Sequence, residues 1–374
     1  MSIERVCSLC FDNEDLSDWI VNEDGPRGCD ACGKRDAPTC KLSELCAFIE
    51  SRLSQYWGSA DNQLFYVSAE GGYQGRTWDT YDLIVDEIGL SFPRAQNDRL
   101  LREILGHLTD QAWCDYDCGA LDHDEALKFS WRQFCETIKH KRRFFFLSDG
   151  SDDRDSFTPA SLLHEIAHSI EVIGLIREIP AGTKLWRARP DLNKGAKATA
   201  TSFGPPPAEH ALQSNRMNPP GIPMFYLASS QKTALLETRT MESRMGKWSV
   251  ARSLLVLDLR RLPHVPGIFS KADRHYRLGL KFLHDFAVDI MTPVARDQRV
   301  HVDYLPSQVV TEYFRDYDFE AGRLDGIVYN STVHLEGWNI ALFANNVDLG
   351  LSRPTWGRAP EPWLTFIKSI RARI

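Results

Sequence analysis

The sequence predicts an α+β protein: a small cysteine-rich head, a helical middle and a C-terminal domain built on a mixed sheet. Three observations carry that expectation. Five of the nine cysteines lie in the first 40 residues, and none follows Cys135. Apolar residues recur at helical spacing between residues 41 and 147. From about residue 180, short β-rich runs alternate with loops and a few helix-like segments. A chain of 374 residues is long for one core, so two or three domains are expected.

Residues 1–40 form the head. They hold turns such as NEDGPRG and KRDAPT and show no convincing helical period. Their apolar content is too small for an independent core, so a staple is needed. Cys7-x2-Cys10 and Cys29-x2-Cys32 are separated by 18 residues. Each pair can turn two thiolates toward one ion, and the long loop brings the pairs together as a tetrahedral site. Structural zinc is the expectation; four ordinary buried thiols are the alternative. A four-thiolate site is closed, so catalysis is not expected there. An odd, clustered set with no export signal does not read as a disulfide framework.

Residues 41–150 read as mostly helical. In KLSELCAFIESRLSQYW, Leu42, Leu45, Phe48, Ile49 and Leu53 share helical spacing. NDRLLREILGHLTDQAW repeats the pattern, with Asp98 as the expected N-cap. ALKFSWRQFCETIKHKRRFFF is a third helix whose basic end suits the helix dipole. The acidic SDGSDDRDS, residues 148–156, is the expected domain boundary. A third domain, 157–350, then begins. Thr158-Pro159 opens a helix through LLHEIAHSIEVIGLI. KLWRAR, MFYLAS, SLLVLDL, GIVYNS and NIALFAN read as strands. TALLETRTMESR and RLGLKFLHDFAVDIM read as helices. Residues 351–374 are expected as a helical tail.

The net charge of −7 argues against general nucleic-acid coating, which needs a basic face. No stretch has the length of a membrane span and the N-terminus has no apolar signal core, so a cytoplasmic protein is expected.

Two short motifs point elsewhere. His164-Glu165-Ile166-Ala167-His168 is a literal HExxH, the zinc-protease pattern. No histidine follows at the extended positions, and Glu171 sits too close on the same face. The bland alternative is an amphipathic helix with two histidines on its polar side. Arg102-x4-His107 matches the Arg and His that HEPN ribonucleases use across a dimer; a solvated face accounts for it equally well.

The segment RMNPPGIPMFYLASSQKTALLE, residues 216–237, combines Arg216, Tyr226 and Glu237. MFYLAS puts Tyr226 near a strand end, and a helix beginning at Thr233 carries Glu237. Upstream, Arg187 and Arg189 share one face of a strand. Downstream, LDGIVYNS ends in Ser331. Arg reads phosphate, Tyr offers a flat ring and Glu can face a developing cation. The set suits a nucleotide carrying a cationic group.

From LWRAR through GPPP, RMNPPGIPMFYLASSQKTALLE and DYLPSQ to LDGIVYNS and NIALF, the chain resembles the RES-domain proteins, in the longer form with a HEPN/RES N-terminal domain and a Cys-rich head. The resemblance implies a fold like the diphtheria-toxin-type ADP-ribosyltransferases. It also implies an enzyme that consumes NAD by breaking the nicotinamide–ribose bond, with phosphate, water or a protein as acceptor. By motif match, Arg187, Tyr226, Glu237 and Ser331 are the catalytic set. Arg187, Arg216, Asn218 and Tyr226 would bind NAD. Many relatives are toxins paired with an antitoxin, so a toxin or defence role and an antitoxin or immunity partner are implied. Short RES toxins often carry Trp where this chain has Met217. A pocket that senses NAD without turnover is the alternative from another class.

Overall fold

The computed structural model describes residues 2–93, 97–146, 152–153, 155–190, 192, 198–294, 297 and 299–373. The chain packs as two units, Met1–His123 with Val265–Leu278, and Asp124–His264 with Gly279–Ile374. The expected boundary at 148–156 falls partly on residues 148–151 and 154, which lie outside the described residues.

In the first unit, Arg5–Cys7 pairs antiparallel with Thr39–Lys41. Between them stands a helix, Glu14–Glu23, where none was expected. Asn13 caps it by accepting from the Leu16 amide at 3.1 Å. Only Leu16 and Ile20 of this helix are buried, a single i,i+4 pair, which is too short to show a period. The helix Leu42–Leu53 buries Leu42, Leu45, Cys46, Ile49 and Leu53, close to expectation. Asp98 is the second residue of the helix Asn97–Leu105, not its cap.

The head does not pack apart from these helices. Val6, Cys10, Leu16 and Ile20 belong to the same core as Leu45, Ile49, Ile104 and Trp113. A 40-residue segment buries too little surface alone and shares its neighbour's core. Val265–Leu278 joins this unit from far along the chain. Phe269 enters the core, and buried Arg52 donates to the carbonyls of Ile268 (3.1 Å) and Ala272. Arg274 pairs with Asp117 at 3.0 Å and Asp122 at 2.6 Å.

In the second unit, the helix His123–Glu136 runs into a wider π turn, Thr137–Lys141, and stops before Arg142. The expected third helix is therefore shorter than its basic-aromatic end. The helix Pro159–Ile173 starts as read: Thr158 accepts from the Ser161 amide at 3.3 Å, and Gly174 closes it with φ +72°.

Eight strands make the sheet: β1 (Ile176–Ile179), β2 (Lys184–Arg189), β3 (Phe225–Ala228), β4 (Glu242–Val250), β5 (Leu254–Asp258), β6 (Gly326–Asn330), β7 (Trp338–Leu342) and β8 (Leu364–Arg373). Their order is β8-β4-β2-β3-β7-β6-β5-β1. β5 and β6 run parallel, while the other neighbours are antiparallel, so the sheet is mixed and the chain is α+β. Trp248 is fully buried, edge-on to Phe225 and Phe366 with ring centroids 5.2 Å from each.

Two expectations are corrected here. Residues 364–373 are not a helical tail but the edge strand β8, paired to β4 with a bulge at Lys247/Trp248. In LTFIKSIRAR, Leu364 and Phe366 alternate onto one face, a period of two that suits a strand. TALLETRTMESR is not one helix. The helix is Gln231–Thr238; Arg239 turns left-handed at φ +54°, and β4 begins at Glu242.

Ladder bonding between β2 and β3 is confined to one residue pair, Trp186 with Ala228. Elsewhere the two strands part, which makes room for a cleft in the sheet. An ion pair, Arg252 with Asp325, ties the β4–β5 turn to the start of β6. Their side chains form two bonds, of 2.9 and 2.6 Å. The same carboxylate accepts from the Leu255 amide at 2.9 Å, and the guanidinium lies 4.5 Å from the Trp363 ring centroid. Asp325→Ala leaves these donors unpaired. Losing one partner of a buried pair costs about 3–5 kcal/mol. Arg252 is 33 % exposed, which lowers the expectation to about 2–3 kcal/mol. Urea unfolding of the variant checks this; an unshifted curve would show the pair to be dispensable.

Candidate functional site

Where β2 and β3 part, a cavity of about 350 Å³ opens, lined by Trp186, Arg187, Tyr226, Glu237, Tyr329 and Asn339 among others. That is a small-molecule volume. Three of the residues singled out in the sequence, Arg187, Tyr226 and Glu237, meet in it.

Glu237 is the second-last residue of the helix Gln231–Thr238. Its Oε1 accepts from Ser331 Oγ at 2.7 Å and from Asn339 Nδ2 at 2.6 Å. Oε2 has no hydrogen bond among the described residues. The carboxylate is thus fixed by one oxygen, and the other is available to a ligand. Ser331 follows β6 and is buried; it stands behind Glu237 and does not line the cavity. Asn339 does line it, from the middle strand β7. Asn339 is not evident in the sequence, because an Asn in an apolar strand carries no motif; its polarity among NIALF is the available signal.

Two guanidinium groups bring positive charge. Arg187 lies 5.2 Å from the Phe225 ring centroid, and Arg216 lies 5.3 Å from that of the cavity-lining Tyr329. In each, Nη1 is buried and lacks a partner among the described residues. Burial, and then the neighbouring Arg189, lower the pKa of Arg187. A guanidinium stays charged even so. An anion would satisfy these donors and offset the cost of burying them.

Tyr226 is held rigidly. Its hydroxyl donates to Asn218 Oδ1 at 2.7 Å and accepts from the Met217 amide at 3.3 Å. Burial raises its pKa and pushes Tyr329 up to about 12, so both rings stay neutral near pH 7. Asn218 spends its amide on the fold: Nδ2 donates to the carbonyls of Pro219 (3.2 Å) and Ile222 (2.8 Å). It was expected to touch a ligand, and the structure places it behind Tyr226. The helix Leu305–Asp316 pins this loop. Gln308 Nε2 reaches Ser214 Oγ and the carbonyls of Asn215 and Asn218 at 2.7–3.1 Å. Ser307 Oγ donates to the Arg216 carbonyl at 2.6 Å. The role of DYLPSQ is therefore to carry the Arg216 loop.

A second cavity in this unit, about 470 Å³, is lined by Trp131, Lys139, Asp289 and Tyr304 among others. Its charges are partly spent internally: Lys139 pairs with Asp303 at 3.5 Å, and Asp289 accepts from Trp131 Nε1 at 3.0 Å. Among the described residues it offers no buried donor without a partner, so the smaller cleft is the better candidate.

In the first unit, the Sγ atoms of Cys7, Cys10, Cys29 and Cys32 all lie within 4.8 Å of one another. Neighbouring sulfurs are 3.8 Å (Cys7–Cys10), 3.5 Å (Cys7–Cys32) and 3.6 Å (Cys10–Cys29) apart. A tetrahedron with Zn–S bonds of about 2.3 Å has edges of about 3.8 Å. The four could hold a metal ion. The Cys10 contact draws Cys29 down to about 4, while burial drives Cys7 up to about 12.

The residues of the two other motifs have partners nearby. His164 and His168 are both exposed, and His164 Nδ1 is 3.3 Å from the Tyr317 hydroxyl. Neither belongs to a group of three ligands among the described residues. Arg102 and His107 each bond their own helix backbone, at Asp98 O (2.9 Å) and Glu103 O (2.8 Å). His107 lies past the last residue of its helix, Leu105.

No helix among the described residues is long and apolar enough to cross a membrane. Comparison with protein-family models matches residues 22–152 to HEPN/RES N-terminal domain 1 and residues 184–366 to the RES domain. No curated protein and no solved structure matches the chain. The RES match covers the whole cleft, from Arg187 on β2 to Asn339 on β7, and is consistent with a protein that acts on NAD. The chain belongs to the RES-domain proteins, with a HEPN/RES N-terminal domain ahead of its RES domain.

Proposed function

We propose that this protein cleaves NAD at the nicotinamide–ribose bond. One observation carries the reading: a carboxylate clamped through one oxygen shares a cleft with a guanidinium whose buried Nη1 has no partner. NAD offers the matching groups, a pyrophosphate and a cationic ring on a ribose. Arg187 and Arg216 pair with the pyrophosphate. Tyr226, locked by Asn218, packs against the nicotinamide. As the C–N bond breaks, its electron pair returns to the ring nitrogen and neutralises the pyridinium, while positive charge develops on the ribose. Glu237 stabilises that charge where it appears. Ser331 and Asn339 hold the carboxylate in place, so it need not reorganise. The acceptor then bonds to the ribose carbon. Phosphate, water and a protein side chain yield different products, and incubation with NAD with and without phosphate separates them. Draining NAD suits a toxin or defence effector.

We read the four-cysteine cluster as a structural zinc site. With all four positions filled by thiolates, it supplies folding energy and no catalysis. Because the head shares its core with the helices that follow, the metal stabilises the whole first unit.

Glu237→Gln keeps the size and much of the bonding but removes the charge. Turnover should fall by about 100- to 1000-fold, with NAD affinity little changed, since the positive charge on the ribose develops only in the transition state. Equal cleavage by wild type and variant would remove Glu237 from the chemistry. Arg187→Ala should behave differently and weaken NAD binding together with turnover, because substrate and transition state share the pyrophosphate contact. Calorimetric titration beside a product assay tells the two patterns apart. For the metal, elemental analysis should find about one zinc per chain. Cys29→Ser should lose it and unfold the first unit at lower temperature; a metal-free, fully stable protein would contradict the reading.

A further inference from the structure

The strand that precedes Glu237's partners and the one that follows are joined by a loop, Ser331–Gly337, between β6 and β7. This loop meets the helix Gln231–Thr238 at two points. One is Ser331 Oγ on Glu237 Oε1, at 2.7 Å. The other lies one helical turn earlier, where Thr233 Oγ1 and His334 Nδ1 are 2.9 Å apart. Thr233 and Glu237 are i,i+4 neighbours on one helix face. The loop thus lies along that face and is fastened at its start, Ser331, and at its middle, His334.

The second fastening is built into the fold. Thr233 is fully buried, and its hydroxyl also meets Ser230 Oγ at 2.7 Å. Ser230 caps the same helix by accepting from the Thr233 amide at 3.1 Å. The loop closes on itself through Ser331 N to Gly337 O (2.9 Å) and Gly337 N to His334 O (2.8 Å). A side chain at 337 has no room: a Cβ there would lie 2.2 Å from Thr233 Oγ1 and 2.6 Å from His334 Nδ1. His334 Nε2 is buried and has no partner among the described residues, so Nδ1 provides the ring's polar contact to the helix.

We propose that His334 is a positioning residue for the Glu237 carboxylate, acting through the Thr233 contact that holds the Ser331 loop against the helix. This rests on the reading of Glu237 as the group that stabilises the ribose cation. His334 does not bond the carboxylate, which accepts from Ser331 and Asn339, and does not line the cavity. Its effect is to keep Ser331 within bonding distance of Oε1. Without it, Asn339 alone directs the carboxylate, and Ser331 follows a loop tied at one end.

The experiment compares His334→Leu, His334→Asn and Thr233→Val in the full chain, by NAD turnover and by amide exchange. His334→Leu fills the space without a polar atom. His334→Asn returns a hydrogen-bonding atom near the Nδ1 position. Misplacing a reacting group by about 1 Å can cost about 100-fold, so kcat in His334→Leu should fall by about 10- to 100-fold. KM for NAD should stay within about two-fold, since the pyrophosphate contacts are untouched. His334→Asn should recover most of the loss. Thr233→Val should resemble His334→Leu, and the double variant should be no worse than either, as expected for two ends of one contact. Exchange at the amides of Ser331 and Gly337 should quicken in His334→Leu. Unchanged kcat in His334→Leu, or Asn no better than Leu, overturns the proposal. If the wild-type protein does not turn over NAD, the functional reading fails on its own. Exchange then still decides the latch: faster exchange in His334→Leu upholds it, and unchanged protection rejects it.

Discussion

The site depends on one shared oxygen. Glu237 Oε1 takes a hydrogen bond from Ser331, just beyond β6, and another from Asn339, on the neighbouring β7. A carboxylate on a short helix would otherwise be free to rotate. Two donors from adjacent strands tie the helix end to the middle of the sheet, so the geometry of the acid is set by the ladder. The strand pairing of Tyr329 with Asn339 therefore sets where the Glu237 carboxylate stands. Electrostatic stabilisation is effective when the group is already in place before charge develops.

The sheet in turn supplies the cleft by failing to close. β2 and β3 are ladder-paired only at Trp186 and Ala228, and beyond that point they separate. A continuous ladder would fill this space with backbone. The loop bearing Arg216 and Met217 lies beside the opening and cannot hold its shape alone. Buried Gln308 binds three of its polar groups, and Asn218 binds its own turn. Two buried amides thus do the scaffolding, while Nη1 of Arg187 and of Arg216 has no partner among the described residues. A protein that leaves buried guanidinium donors without partners gives up stability, and such a cost is usual at sites where charge must be received.

The first unit follows another logic. Its strands are two or three residues long, and its early helix buries two side chains. Elements this small gain stability only together, which is why the Cys-rich segment, the helices and the returning segment around Phe269 share one core. The four thiols, at 3.5–3.8 Å spacing between neighbours, could hold a metal ion at the edge of that core.

Periodicity and spacing made much of this legible in advance. The paired CxxC spacing gathered Cys7, Cys10, Cys29 and Cys32. Alternation marked KLWRAR as a strand to the residue. Thr158-Pro159 marked a helix start, and the ordered Arg, Tyr and Glu marked the cleft. These are local signals, carried by covalent spacing along the chain. The tertiary structure alone decided the rest. MESR and LTFIKSIRAR became neighbouring strands because each completes the other's ladder, a pairing across more than a hundred residues that no local period records. Ser331 and Asn218 proved to stand behind the cavity-lining Glu237 and Tyr226, because a motif names a residue type and not which of its atoms are already spent. Asn339 and His334 acquired partners 102 and 101 residues away. Which polar groups bond each other, and which are left for a ligand, is fixed only when distant strands and loops are packed, since a hydrogen bond depends on distance in space and not on separation in sequence.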